Sequence, residues 1–254
     1  GVATTWAEDE FDRQFSNTSN VGSALGPRSS DLIDIDFDCS EAAHFGRILL
    51  PSLPSLPSFG RRSSRESHRV LHSKLNKNRT VYQLPKNLVD ASDAERAMLL
   101  EIRGDGHQTM FPPSVHPSGE TVSWTESDFQ VPELDEAELL KACGTIAALS
   151  LVAMFYPRIA GERNEIAMAI TGTLARTDLE DDLVDLLVSK VAEIAGDEEA
   201  EARGGRCSDT REKIAQGEHV WGLPELCPRL NIPTADKTLR TWLDLGIPIN
   251  ARHG

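Results

Sequence analysis

Three aspartates, Asp34, Asp36 and Asp38, alternate with Ile35 and Phe37 directly after Leu32 and Ile33. In a strand successive side chains point to opposite faces, so the carboxylates share one face and Ile33, Ile35 and Phe37 the other. Aspartate is disfavoured in strands, and like charges this close raise one another's pKa unless something positive stands between them. A divalent metal ion is the obvious counter-charge; a solvated acidic face is the plain alternative. Farther along, 111–119 reads Phe-Pro-Pro-Ser-Val-His-Pro-Ser-Gly. Prolines that hold the backbone extended would point Ser114 and His116 the same way. A hydroxyl and an imidazole fixed side by side suit phosphate oxygens, whereas a lone His-Pro turn more plainly holds a structural histidine.

The elements that must carry these groups follow from pattern. A short helix is expected over 8–15, a strand and turn over 20–30 leading into the acidic strand, and a helix over 40–48 entered through Ser40. The run 50–58 repeats Leu-Pro-Ser, which cannot build an ordinary helix or central strand, so it reads as a stiff connector. Strands are expected at 70–72, 80–84, 97–102, 108–111 and 121–124. From Pro132 onward the texture is helical: 136–155, 163–176, 179–195, 210–216 and 238–245. The third of these places Leu183, Leu186, Leu187, Val191 and Ile194 at helical spacing, with Asp178 as N-cap and Gly196 as the stop. The fold class is therefore α+β, followed by an all-α helical bundle.

Composition bounds the partners. A chain of 254 residues holds one large domain or two modest ones, and two is the expectation, 1–131 and 132–254. Its formal net charge of −14 runs against nucleic-acid binding. The distribution runs the other way: Arg61, Arg62, Arg65, Arg69, Lys74, Lys77 and Arg79 form a basic segment in which Glu66 is the only acid, a path for phosphates, with a solvated basic loop as the plain alternative. Cys39, Cys143, Cys207 and Cys227 form no C-x-x-C pair, which argues against a zinc site and for reduced thiols in a cytoplasmic setting. The longest apolar run, 146–156, is broken by Ser150 and falls short of the roughly 18 residues of a membrane span, so no membrane is expected; nor is a secretory leader seen.

Several motifs together carry a family resemblance. Asp34-Ile35-Asp36-Phe37-Asp38 precedes Ser40-Glu41-Ala42; Phe59-Gly60-Arg61 and Ser67-His68 follow; then 100–109 reads Leu-Glu-Ile-Arg-Gly-Asp-Gly-His-Gln-Thr and leads into Pro113-Ser114-Val115-His116. In this order they resemble the bifunctional DNA primase/polymerase (Prim-Pol) domain of the archaeo-eukaryotic primase superfamily, over roughly the first half of the chain. The resemblance implies an archaeo-eukaryotic primase-like catalytic domain and template-dependent nucleotidyl transfer that makes and extends primers on single-stranded DNA. Two Mg²⁺ or Mn²⁺ ions roughly 3.5–4 Å apart would be bridged by carboxylates. Asp36 belongs to the pair in either register, with Asp34 or with Asp38, and spacing favours Asp38.

In the same resemblance Ser114 and His116 hold nucleotide phosphates, His116 counting among the catalytic residues, with Arg61, His68 and Arg103 adding charge-assisted bonds. A third metal-binding acid is implied after the serine-histidine motif, where Glu126 and Asp128 are candidates and Asp135 a weaker one. The helical half looks like the region that follows such a domain, where Arg158, Arg163 and Arg176 would help hold template and initiating nucleotide; a packing module with exposed arginines is the equal alternative. Nucleoside triphosphates, a DNA template and primer, and a helicase domain or subunit are the implied partners, because the sequence lacks the usual opening elements and a helicase phosphate loop and so reads as a piece of a longer replication protein. A non-catalytic nucleic-acid-binding initiation module with the same fold is the alternative, and a metal-dependent nuclease using the same acids a third.

Overall fold

The structure, a computed structural model, describes residues 20–50, 57–89, 97–126, 130–157 and 161–246. The expected helix over 8–15 and most of the Leu-Pro-Ser connector lie outside them. The described elements run β1 (Val21–Ala24), β2 (Leu32–Phe37), α1 (Ser40–Leu49), β3 (Ser58–Arg61), β4 (Ser64–His72), β5 (Arg79–Gln83), β6 (Met98–Arg103), β7 (Gln108–Phe111) and β8 (Val122–Trp124). Helices follow: α2 (Glu136–Phe155), α3 (Arg163–Leu174), α4 (Asp181–Ile194), α5 (Cys207–Ala215), α6 (Leu223–Arg229) and α7 (Asp236–Trp242). The α+β class is as expected. Six strands order as β5-β6-β2-β4-β3-β8, and β1 pairs with β7 in a separate ribbon.

Contacts divide the chain into two compact units, each assembled from separate stretches. One holds 1–36, 53–80 and 102–134; the other holds 37–52, 81–101 and 135–254. A boundary after Leu134 falls near the expected cut, but the second unit also takes α1, most of β5 and most of β6 from the first half.

In the first unit the acidic strand forms where expected, since Leu32, Ile33, Ile35 and Phe37 are strand formers. It pairs antiparallel with β4, Ile33 opposite Leu71 and Asp36 opposite His68. The expected strand at 70–72 is only the end of β4; its first half and all of β3 were missed. These stretches are rich in serine and arginine and show no apolar alternation, yet β4 is held between β2 and β3, so pairing on both sides overrides weak propensity. Gly60 is obligatory in β3, because a Cβ there would stand 2.1 Å from the Ser64 carbonyl oxygen. The core gathers Leu25, Leu32, Phe59, Val70 and Val122 beneath Met110, Phe111, Trp124 and Val131. Phe59 sits at its centre with no exposed surface, and full burial of such a side chain is worth roughly 1.5–3 kcal/mol.

The basic segment does not form one stripe. Arg61, Arg62 and Arg65 lie at the β3–β4 hairpin, Arg69 is buried and paired with Glu66 at 3.1 Å, and Lys74, Lys77 and Arg79 follow the other end of β4. Seven residues of β4, 66–72 at about 3.3 Å each, separate Arg65 from the second group.

In the second unit α1 packs on α2 and Phe37 packs against α1 at Gly46, where a Cβ would meet the Phe37 ring at 2.5 Å. Helix α2 is by length and composition alone apolar enough to cross a membrane, which the sequence reading did not count because it stopped the run at Ser150. Its most apolar window is 67% buried inside the protein, with Ser150 bonding back to the Ile146 carbonyl. Asp135 caps α2 by accepting the Ala137 N–H. Asp178 does not cap α4, which starts later; its carboxylate pairs with Lys141. Gly196, at φ +79°, does end α4. Helix α6 was not among the expected elements; Pro224 falls in its first turn, where the missing N–H costs nothing.

Candidate functional site

Strand β2 presents Asp34 and Asp36 on one side, and their neighbours supply the opposite charge. Asp34 has no exposed surface. His68 Nδ1, across from Asp36 on β4, lies 3.2 Å from Asp34 and 3.6 Å from Asp36. Arg103, the last residue of β6, bonds to Asp36 and reaches Asp34 at 3.3 Å through the same Nη2. A buried carboxylate needs such partners, because desolvating an unpaired charge costs several kcal/mol. Burial alone would lower the pKa of His68, but its bond to Asp34 and the charges of Asp34 and Asp36 outweigh that and raise it above the ordinary 6.5. The imidazole is further fixed by stacking on Phe59, with centroids 4.7 Å apart and planes 8° from parallel. Arg103 is not fully satisfied: its Nε is buried without a hydrogen-bond partner.

A second cluster stands at the mouth of β8. Arg61 Nη1 lies 2.7 Å from Nε2 and 2.9 Å from Nδ1 of His116, and Arg61 Nε lies 3.8 Å from Glu120. His116 Nδ1 accepts the Ser118 backbone N–H at 3.1 Å. The turn is closed by backbone bonds from His116 N–H to Glu120 and from Gly119 N–H to His116, with Gly119 at φ +86° supplying the left-handed step. Glu120 is held by the Ser63 N–H and hydroxyl and by the Ser118 hydroxyl; the Ser63 bond leads the influences that lower its pKa.

The two clusters are linked rather than in contact. His68 stacks on Phe59, and Arg61, two residues beyond Phe59 on β3, touches His116. Between β2 and β3 lies β4, so the carboxylates and Arg61 stand about two strand spacings, roughly 10 Å, apart.

Not every expected residue joins them. Ser114 is fully buried; its hydroxyl accepts the Val21 N–H at 2.8 Å and donates to the Val21 carbonyl at 3.2 Å, pinning β1 instead of facing out beside His116. Asp38 follows the end of β2 and is exposed; its backbone N–H bonds to the Leu99 carbonyl. Glu126 is exposed just past β8, three strands from β2 and so about 14 Å away, and Asp135 is engaged as a helix cap. Asp128 lies outside the described residues, as does Arg158. Arg163 and Arg176 are structural: Arg163 pairs with Asp197 and Glu198, and Arg176 bonds to the carbonyls of Gly172, Val220 and Trp221.

One further acid lies on β6. On β6, alternation puts Glu101 on the same side of the strand as Arg103, two residues on. The signal was available, because Glu101-Ile102-Arg103 repeats the charged-apolar-charged pattern of Asp34-Ile35-Asp36. Among the described residues no group of three or more His, Cys, Asp or Glu side chains is arranged to hold a metal ion. The donors nevertheless suit Mg²⁺ or Mn²⁺, since carboxylate oxygens are hard ligands and the partly satisfied Arg103 holds the position of the counter-charge.

The family model described as bifunctional DNA primase/polymerase, N-terminal, matches residues 2–138. Neither the curated proteins nor the solved structures compared with the chain gave a match.

Proposed function

The chain belongs to the bifunctional DNA primase/polymerase family, and from that premise we propose that it makes and extends primers on single-stranded DNA by template-dependent nucleotidyl transfer. The observation that carries this reading is Asp34, buried without exposed surface beside Asp36 and balanced by His68 and Arg103. A protein gains little stability from burying a carboxylate that must then be held by an arginine and a histidine, so the arrangement points to use.

In the reaction a 3′-hydroxyl attacks the α-phosphate of a nucleoside triphosphate and pyrophosphate leaves in line. Asp34 and Asp36 would hold Mg²⁺ or Mn²⁺, with Glu101 as the third acid; the ions, when bound, stabilise the attacking and leaving oxygens. Arg103 withdraws from the carboxylates and turns its guanidinium to the phosphates, for which its fork of donors is suited. His68 keeps Asp34 oriented through Nδ1, while the Phe59 ring fixes the imidazole plane. Arg61 and His116 take the far phosphates, which an extended triphosphate reaches from β2. Ser114 acts by holding β1 in place. A cytoplasmic setting and a helicase partner belong to the same reading.

A labelled-nucleotide incorporation assay on circular single-stranded DNA tests it. Products that require added Mg²⁺ or Mn²⁺ and vanish with a chelator are expected; no product at any metal concentration would count against it. Arg103 lying between the carboxylates favours a second reading, a non-catalytic initiation module of the same fold. That module would bind template in a salt-dependent way without ever incorporating nucleotide.

A further inference from the structure

Beside the second cluster, whose Arg61 and Glu120 also line it, the β3–β8 edge carries a cleft of about 480 Å³ with Arg62, Arg65, Thr121, Ser123 and Thr125 on its walls. We propose that this cleft holds the sugar-phosphate backbone of a single-stranded nucleic acid; the inference rests on the polymerase reading and adds a strand-holding surface next to Arg61.

Pairing places Phe59 opposite Trp124 and Gly60 opposite Ser123. Phe59 and Trp124 turn to the core, so Ser123, with Thr121 and Thr125 a step of two away on either side, turns to solvent; all three are exposed. Three hydroxyls thus line up along β8, at the edge of the sheet. Arg62 and Arg65 stand over them from the β3–β4 hairpin, both exposed and neither in an ion pair among the described residues. The one acid among these lining groups, Glu120, is already engaged by Ser63, Ser118 and Arg61. In a chain of net charge −14, two exposed guanidinium groups in no ion pair among the described residues, beside a row of hydroxyls, form a local anion-binding surface. Arginine and hydroxyl side chains are the donors that proteins direct at phosphate and sugar oxygens.

Trp124 packs against Phe59 and Phe111, with centroids 5.1 and 5.5 Å away, and its half-buried ring also lines the cleft. The guanidinium and hydroxyl groups hold a strand by its backbone.

The test is the fluorescence anisotropy of a labelled twenty-mer of thymidylate titrated with the full chain across a series of salt concentrations. Arg62→Ala/Arg65→Ala is expected to weaken binding on the order of ten-fold and to flatten the log–log salt dependence by about 1.4, two phosphates at about 0.7 each on a single strand. Ser123→Glu, which adds a carboxylate without touching either arginine, should weaken binding as well. Unchanged affinity and slope in both variants, or no binding by the unsubstituted chain, overturns the proposal. A chain that binds the oligonucleotide with these dependences yet never incorporates nucleotide supports the cleft and refutes the polymerase reading, so the two failures are distinguishable.

Discussion

Arg103 reaches Asp34 at 3.3 Å with the same nitrogen that bonds Asp36, so one guanidinium bridges two carboxylates of a single strand. Arg103→Ala leaves Asp34 buried with His68 as its remaining partner at 3.2 Å. Breaking a buried pair from one side costs about 3–5 kcal/mol, and calorimetry of the metal-free protein should show a loss of that order. Mn²⁺ should then raise the melting temperature more in Arg103→Ala than in the unsubstituted chain, because the ion no longer competes with the arginine. An equal shift in both would show that Arg103 and the ion do not share a place.

The third acid separates two placements. Glu101→Gln should abolish metal-dependent incorporation, whereas Glu126→Gln, three strands from β2, should leave the rate within about two-fold. Steady-state incorporation rates of the two variants decide between them, and the reverse result would move the site toward β8.

Ser114→Ala removes the acceptor for the Val21 N–H. Leaving a buried donor unpaired costs about 1–3 kcal/mol, so the variant should melt earlier while its KM for nucleotide stays near that of the unsubstituted protein. A large rise in KM without loss of stability would instead give the hydroxyl to a phosphate.

Acid should loosen the helical unit at one point. Asp197 has a side chain with no exposed surface; burial works to raise its pKa, but bonds from Arg203, the Glu199 N–H and Tyr156, with the charge of Arg203, bring it down to about 2. A carboxyl depressed in the folded state stabilises fully above its ordinary value of 3.8 and loses that stabilisation as pH falls through about 2. Circular dichroism melts from pH 7 to pH 2 should show that loss, and Asp197→Asn should be less stable at neutral pH with a flatter acid limb.

Much of this arrangement was legible in order along the chain. The acidic strand, the long apolar helix and the Gly196 stop follow from period and capping, because neighbours in sequence decide them. What escaped depends on sheet order. Strand β6 comes long after β2 in sequence yet lies beside it, so Glu101 was passed over for acids farther along. His68 stood out through the Ser67-His68 motif and was expected on nucleotide phosphates; the register that sets it opposite Asp36 instead is tertiary. The Ser114 hydroxyl looked available because nothing local reveals that β1 returns to take it.

The central claim is that Asp34 and Asp36 share a metal-bound triphosphate whose far phosphates reach Arg61 and His116. A crystal grown with Mn²⁺ and a non-hydrolysable nucleoside triphosphate, with data collected at the manganese edge, tests it most directly. The account predicts anomalous density on the Asp34 and Asp36 carboxylates, Arg103 turned away from them, and phosphates against Arg61 and His116. Nucleotide bound elsewhere, with Arg103 still joining the two aspartates, would contradict it.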